Sequence, residues 1–227
     1  MSIFVRYPDD WIGVPAFGDG EMFAEPREWA SALVDELIEI DTNVTLAASE
    51  REALISALTL LGSGVRERGA TAAYIHLGSL RGPIEVVDLA LVARADVGDA
   101  PAHEIAGSLD PDAIEPPTVT NVVTPGGLHG ALVIRHAPFD EQAPHIVTLR
   151  ATAALDVGEG FAVRGTATTD LAGFEAFRPY FLELIDSVVV ASWIADLGRS
   201  LTTRPLAGTI DAVCALARLV LCPRTLC

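Results

Sequence analysis

Hydrophobic residues recur at two different periods along this 227-residue chain, and the change of period divides it into parts. At the N-terminus, residues 3–7 read as a short strand, followed by the Pro8-Asp9-Asp10 turn and Trp11. Gly13, Pro15, Gly18 and Gly20 then mark a loop. Pro26 stands where the first turn of a helix tolerates it. Trp29, Leu33 and Leu37, with Ala30, Val34 and Ile38 beside them, predict an amphipathic helix to about Ile40. A second helix is predicted from Ser49, where Ser49 and Glu52 have the spacing of a capping box. Leu54, Leu58, Leu61 and Val65 form its apolar stripe and Gly69 is a natural stop. Gly62 and Gly64 each weaken that helix by up to about 1 kcal/mol relative to Ala, which favours a bend or an early end.

From Thr71 the period becomes two. Strands are predicted at about 71–77, 84–94, 118–123, 128–137, 145–156 and 160–168. The 84–93 segment is apolar on both faces except for Glu85 and Asp88, which suits a central strand. The others alternate, as with Val147, Leu149, Ala151, Ala153 and Leu155 against Thr148, Arg150, Thr152 and Asp156. That is the pattern of an antiparallel sheet. Thr124-Pro125-Gly126-Gly127 and Val157-Gly158-Glu159 read as hairpin turns. Residues 96–117, with four Pro and six acidic side chains, read as an exposed excursion with one helical turn near His103.

Asp170 is a suitable N-cap for a third helix whose apolar side carries Leu171, Phe174, Phe177, Phe181, Leu184, Ile185 and Val188. Pro179 is expected to split it. The order is strand, two helices, a run of antiparallel strands and a packing helix. This predicts an α+β domain with about six strands, helices covering one face of the sheet.

The opening "YPDDW" (Tyr7, Pro8, Trp11) and the strand running into a helix with Phe177, Phe181, Ile185 and Ser187 resemble the PsbP-like fold family over residues 1–190. That family includes a photosystem II extrinsic subunit, a Ran-binding nuclear import factor and many bacterial members. The resemblance implies an αβα sandwich and, by analogy of fold, a binding or scaffold role. It carries over no binding residue, because no surface motif matches.

Composition narrows the function. The formal charge of −16 removes the basic patch that nucleic acid needs. All 15 basic residues are Arg, so Lys-centred mechanisms such as Schiff-base catalysis are excluded. Residues 1–18 hold Arg6, Asp9 and Asp10 and lack the apolar core of a signal peptide, and no run of 18 apolar residues predicts a membrane span. Cys214, Cys222 and Cys227 all fall in the last 14 residues, which leaves the body of the chain without a disulfide and points to a reducing cytoplasm.

No catalytic motif emerges. The five histidines, His76, His103, His129, His136 and His145, lack metal-ligand spacing, and His129 and His136 fall on opposite strand faces by parity. No nucleophile elbow is present, Asp9/Asp10 and Asp110/Asp112 lie in Pro-flanked turns, and Gly126-Gly127 lacks the rest of a phosphate loop. The expectation is therefore a non-enzymatic protein with no metal or cofactor, acting through protein contacts. Trp11, Phe17, Met22 and Phe23 are its candidate partner-binding residues. They either dock a partner or fold back against the sheet. The other function considered is a small-molecule pocket, with weak hydrolase or isomerase activity, between sheet and helices. Two or more histidines converging near Arg135 or Arg150 would mark that second reading, and a flat aromatic surface the first.

The composition shifts again at Gly198. Residues 1–197 carry eleven Arg against thirty acidic side chains, whereas residues 198–227 carry four Arg against Asp211 alone. We read 1–197 as one domain and 198–227 as a basic, apolar, Cys-containing extension. Within it residues 206–221 can form a nearly all-apolar helix, to pack on the domain, to meet a partner or a membrane surface, or to serve no selected role.

Overall fold

The computed structural model describes residues 3–5, 7–8, 10–41, 43–65, 67–139 and 145–190. The 198–227 extension, its three cysteines and the 206–221 segment lie outside them. The elements are β1 (Ile3–Val5), β2 (Trp11–Gly13), α1 (Pro26–Ile40), α2 (Ala48–Ser63), β3 (Ala72–Leu77), β4 (Ile84–Ala93), α3 (Arg94–Val97) and α4 (Ala102–Ile105). They continue with β5 (Thr118–Val123), β6 (His129–Pro138), β7 (Val147–Asp156), β8 (Gly160–Thr168), α5 (Leu171–Asp186) and β9 (Val188–Val190).

The fold is α+β. Seven strands form one antiparallel sheet in the order β2-β3-β4-β8-β7-β6-β5, and β1 pairs with β9 in a separate ribbon. β4, apolar on both faces, is an interior strand, as its pattern predicted. The two hairpin turns fall where they were expected, with Gly127 at φ +79° and Gly158 at +88°, values that L side chains rarely adopt.

Helices cover both faces rather than one. On the first face α5 lies over Tyr74, Val87, Leu89, Leu132, Ala153 and Leu155, burying Phe174, Phe177, Phe181, Leu184 and Ile185. On the second face α1 and α2 pack Trp29, Val34, Ile55 and Leu58 against Ile75 of β3. Arg27–Glu52 and Arg51–Asp35 ion pairs tie those two helices together. The far half of that second face is covered by the 96–117 excursion. It is not simply exposed, since Ala106 is buried with Val133, Ala154 and Phe161.

Three local expectations shift. α2 starts two residues early, because the Glu50 carboxylate accepts the Ala47 N–H at 2.8 Å while Glu52 turns to Arg27. α2 ends at Ser63, at the glycines rather than at Gly69. α5 runs unbroken through Pro179. Pro179 and Glu175, whose carbonyl loses its helical donor, are both on the exposed side, where solvent can reach the freed oxygen, while five buried side chains hold both halves to the sheet.

Asp170 caps α5 as predicted, accepting the Gly173 N–H at 2.8 Å. Among the described residues no helix is long and apolar enough to cross a membrane.

Candidate functional site

The four aromatic and Met positions of the N-terminal loop do not form one exposed patch. Trp11 belongs to β2, opposite His76 of β3, and is 3% exposed. Its ring packs 5.4 Å from His76 and 5.8 Å from Phe177 under α5. Phe17 is half-buried 5.9 Å from Trp29, and Phe23 packs in the same α1–α2 cluster. Only Met22, at 62%, stands in solvent. The reason is burial: three large rings fill the end of the sheet where β2 is only three residues long.

The histidines divide between the faces. His76, on the α5 face, stacks 4.2 Å from Tyr180, and burial lowers its pKa although Asp10 pulls it back. His136 holds Glu115 at 2.8 Å. His145 is exposed at the approach to β7. His103 and His129 share one groove, although no spacing rule pairs them. They line a groove of about 500 Å³ on the second face.

That groove is built from six elements, each placing a side chain by strand parity or by a turn. Phe161 of β8 and Ala131 of β6 make the floor. Arg94, the first residue of α3, closes one end: its guanidinium lies 4.8 Å from the Phe161 ring centroid and pairs with Asp156 at 2.7 Å. One wall is α4 with His103, whose Nδ1 lies 2.9 Å from Ser108 Oγ. Ser108 stands outside the lining, so this bond orients the imidazole rather than presenting a hydroxyl to the groove. The opposite wall is β5 and the start of β6, with Asn121, Val123 and His129.

The α4 wall is anchored from below. Arg135 donates to Asp110 at 2.8 Å and to the Ala106 carbonyl at 3.1 Å. Gly107, at φ +91°, permits this, because a Cβ there would press on the Arg135 guanidinium. Asp110 is held below the usual carboxylate range, first by the Asp112 N–H and then by Arg135. Arg135 thus supports the groove without lining it, and Arg150 reaches instead toward the Pro138 carbonyl at 3.4 Å.

Beside the groove the sheet ends. Among the described residues β5 has β6 as its one hydrogen-bonded neighbour. The Thr124 N–H bonds the Leu128 carbonyl, which fixes the antiparallel alternation. In that alternation Val119, Asn121 and Val123 turn their backbone N–H and C=O outward. Their side chains share the groove face, and Val119 is 45% and Val123 60% exposed. The strand Thr-Val-Thr-Asn-Val-Val carries no charge, Pro or Gly. Asp99 lines the groove, and it has no ion-pair partner among the described residues, nor do Asp96 and Glu104 of the same excursion. The uncharged β-branched run was visible in the sequence, but its position at an edge was not. Among the described residues no group of three His, Cys, Asp or Glu is placed to hold a metal ion. No family model matches the sequence, and no curated protein matches it either.

Proposed function

We propose that this is a non-enzymatic, protein-binding domain that receives an extended segment of a partner along β5. One observation carries the reading: a six-residue, uncharged edge strand with outward N–H and C=O groups at Val119, Asn121 and Val123 lies open beside a groove. Such an edge supplies main-chain hydrogen bonds to an added strand, while alternate side chains of that strand fall toward the groove. Val119 and Val123 favour apolar partner residues. Asp99 and the neighbouring acids favour Arg or Lys on the partner. The likeness to PsbP-like proteins supports a scaffold role by fold analogy, and a body without cysteine supports a cytoplasmic setting.

The test is Asn121→Pro. The Asn121 N–H points away from β6, so proline removes the outward donor without breaking the sheet's own ladder. A fluorescent peptide of alternating Val and Arg should bind the native chain. Binding should fall about tenfold or more in the variant, the loss expected for a missing main-chain bond and an obstructed edge. Equal anisotropy titrations for the two proteins, at unchanged melting temperature, would remove the reading. A second reading rests on His103 and His129 sharing the groove: a small molecule held between the two imidazoles, which substitution of either histidine would release without affecting the peptide.

A further inference from the structure

The groove and edge have a candidate occupant in the chain itself. The described part of the chain ends at Val190, immediately after β9. β9 brings it close to the β5–β6 turn, where a Cβ on Gly126 would lie 3.7 Å from the Val188 carbonyl oxygen. The start of β9 therefore lies at the end of β5 that adjoins Val123 and His129, and 37 residues follow Val190 in the sequence. Even the 15 residues between Val190 and the 206–221 segment reach up to about 50 Å when extended, more than twice the roughly 20 Å length of a six-residue strand.

The chemistry of that segment complements the surface. Residues 198–227 hold Arg199, Arg204, Arg218 and Arg224 against Asp211 alone, in a chain whose formal charge is −16. The excursion beside the groove holds six acidic side chains and no Arg; Asp110 and Glu115 are engaged by Arg135 and His136, whereas Asp99, which lines the groove, has no ion-pair partner among the described residues. Residues 206–221 are almost wholly apolar, and the strand they would meet exposes Val119 and Val123. Covering an open strand edge with a segment of the same chain is an established way to prevent edge-to-edge association. Tethering also makes that segment the most concentrated competitor for the edge.

We propose that residues 198–227 dock in cis on the β5 edge and its groove, so that a partner segment must displace them. This rests on the reading of β5 as a docking edge. The experiment uses the full chain, in which every native thiol lies in the extension. Cys222→Ser and Cys227→Ser leave Cys214 alone, and a second thiol is placed either at β5 (Asn121→Cys) or on α2 (Leu60→Cys, where the native side chain is 74% exposed).

Under mild oxidation the Asn121→Cys protein should close an intramolecular disulfide about tenfold or more faster than the Leu60→Cys protein, at a rate independent of protein concentration. Added salt should slow it, since Arg–carboxylate attraction across exposed surface is screened. Equal rates at the two positions, or a disulfide that forms only between molecules, would overturn the proposal. If the rates are equal while the Val/Arg peptide still binds and is lost on Asn121→Pro, the docking edge stands and only the cis occupant fails. If the rates are equal and no peptide binds, both fail together.

Discussion

Arg164 offers the sharpest test of the energetics. It lies on β8 under α5 with no exposed surface, among Tyr74, Leu89 and the aromatic side of the helix. One nitrogen, Nη1, donates to the Leu184 carbonyl at 2.6 Å. Nε and Nη2 find no acceptor among the described residues. The guanidinium faces the Tyr74 ring at 5.5 Å and, among the described residues, has no carboxylate partner. Burial lowers its pKa from the usual 12.5 to about 10, a penalty on the charged form of about 3 kcal/mol.

Arg164→Met keeps a long, flexible apolar stem and deletes the buried charge. The Leu184 carbonyl is not orphaned, because Ser187 Oγ also donates to it at 2.6 Å. Against the relieved penalty stand one lost charge-assisted bond and the cation–ring contact, so the net gain expected is about 1–2 kcal/mol. In a domain of this size that raises the melting temperature by roughly 3–6 °C. Because the folded-state pKa is depressed, both states carry the proton at neutral pH and the cost is present in full. It is relieved only as pH rises through about 10, where the folded protein gives up the proton first. The gap between variant and native protein should therefore be flat from about pH 5 to 9 in urea titrations. A variant destabilised by more than about 1 kcal/mol would refute the reasoning, since it would mean that the cation is compensated in the folded state.

Two further perturbations follow from the cited groups. Burial lowers the pKa of His76, so the unfolded chain takes up that proton first as pH falls through about 6.5, and stability declines below that point. His76→Gln should reduce the difference in urea midpoint between pH 7.5 and pH 5, and an unchanged difference would contradict the assignment. Asp110→Asn leaves the Arg135 guanidinium without its anion at a site where the two side chains are only 13% and 15% exposed. The loss should be about 2–3 kcal/mol. It should be present above about pH 4 and vanish in acid, where the native carboxyl is protonated as well. Faster hydrogen exchange at the Ala106 N–H would report the freed α4 wall.

What was legible in the sequence is what short-range periodicity encodes. α1, the six strands from β3 to β8 and both hairpin turns each repeat a local pattern long enough to stand out, and each lies close to its predicted bounds. The parts that escaped depend on distant partners. Val188–Val190 reads as the apolar end of the preceding helix until Ile3–Val5, at the other end of the domain, pairs with it. β2 is three residues long and includes Gly13, so no alternation announces it, and its pairing with β3 is what turns Trp11 inward. The groove had no signature at all. Its two histidines come from α4 and β6, and its Arg94–Asp156 post from the start of α3 and the end of β7. Parity assigned His129 and His136 to opposite faces correctly, yet it could not bring His103 to the same groove as His129, because that depends on where Arg135 pins the excursion.

The two edges of the sheet are treated differently, and that contrast is the strongest physical argument for how the protein works. At one edge β2 is cut to three residues and Trp11 is folded inward, which leaves little for another chain to pair with. At the other edge β5 runs six residues with no Lys, Arg, Asp, Glu or Pro, in a chain that elsewhere places 31 acidic and 15 basic side chains. Charge was available to protect that strand and stands instead on the excursion beside it. A β-branched and uncharged edge is a liability in a free protein. It persists without harm if a segment covers it, and under the proposed docking Asp99 beside it would favour a basic segment over a second copy of this acidic domain.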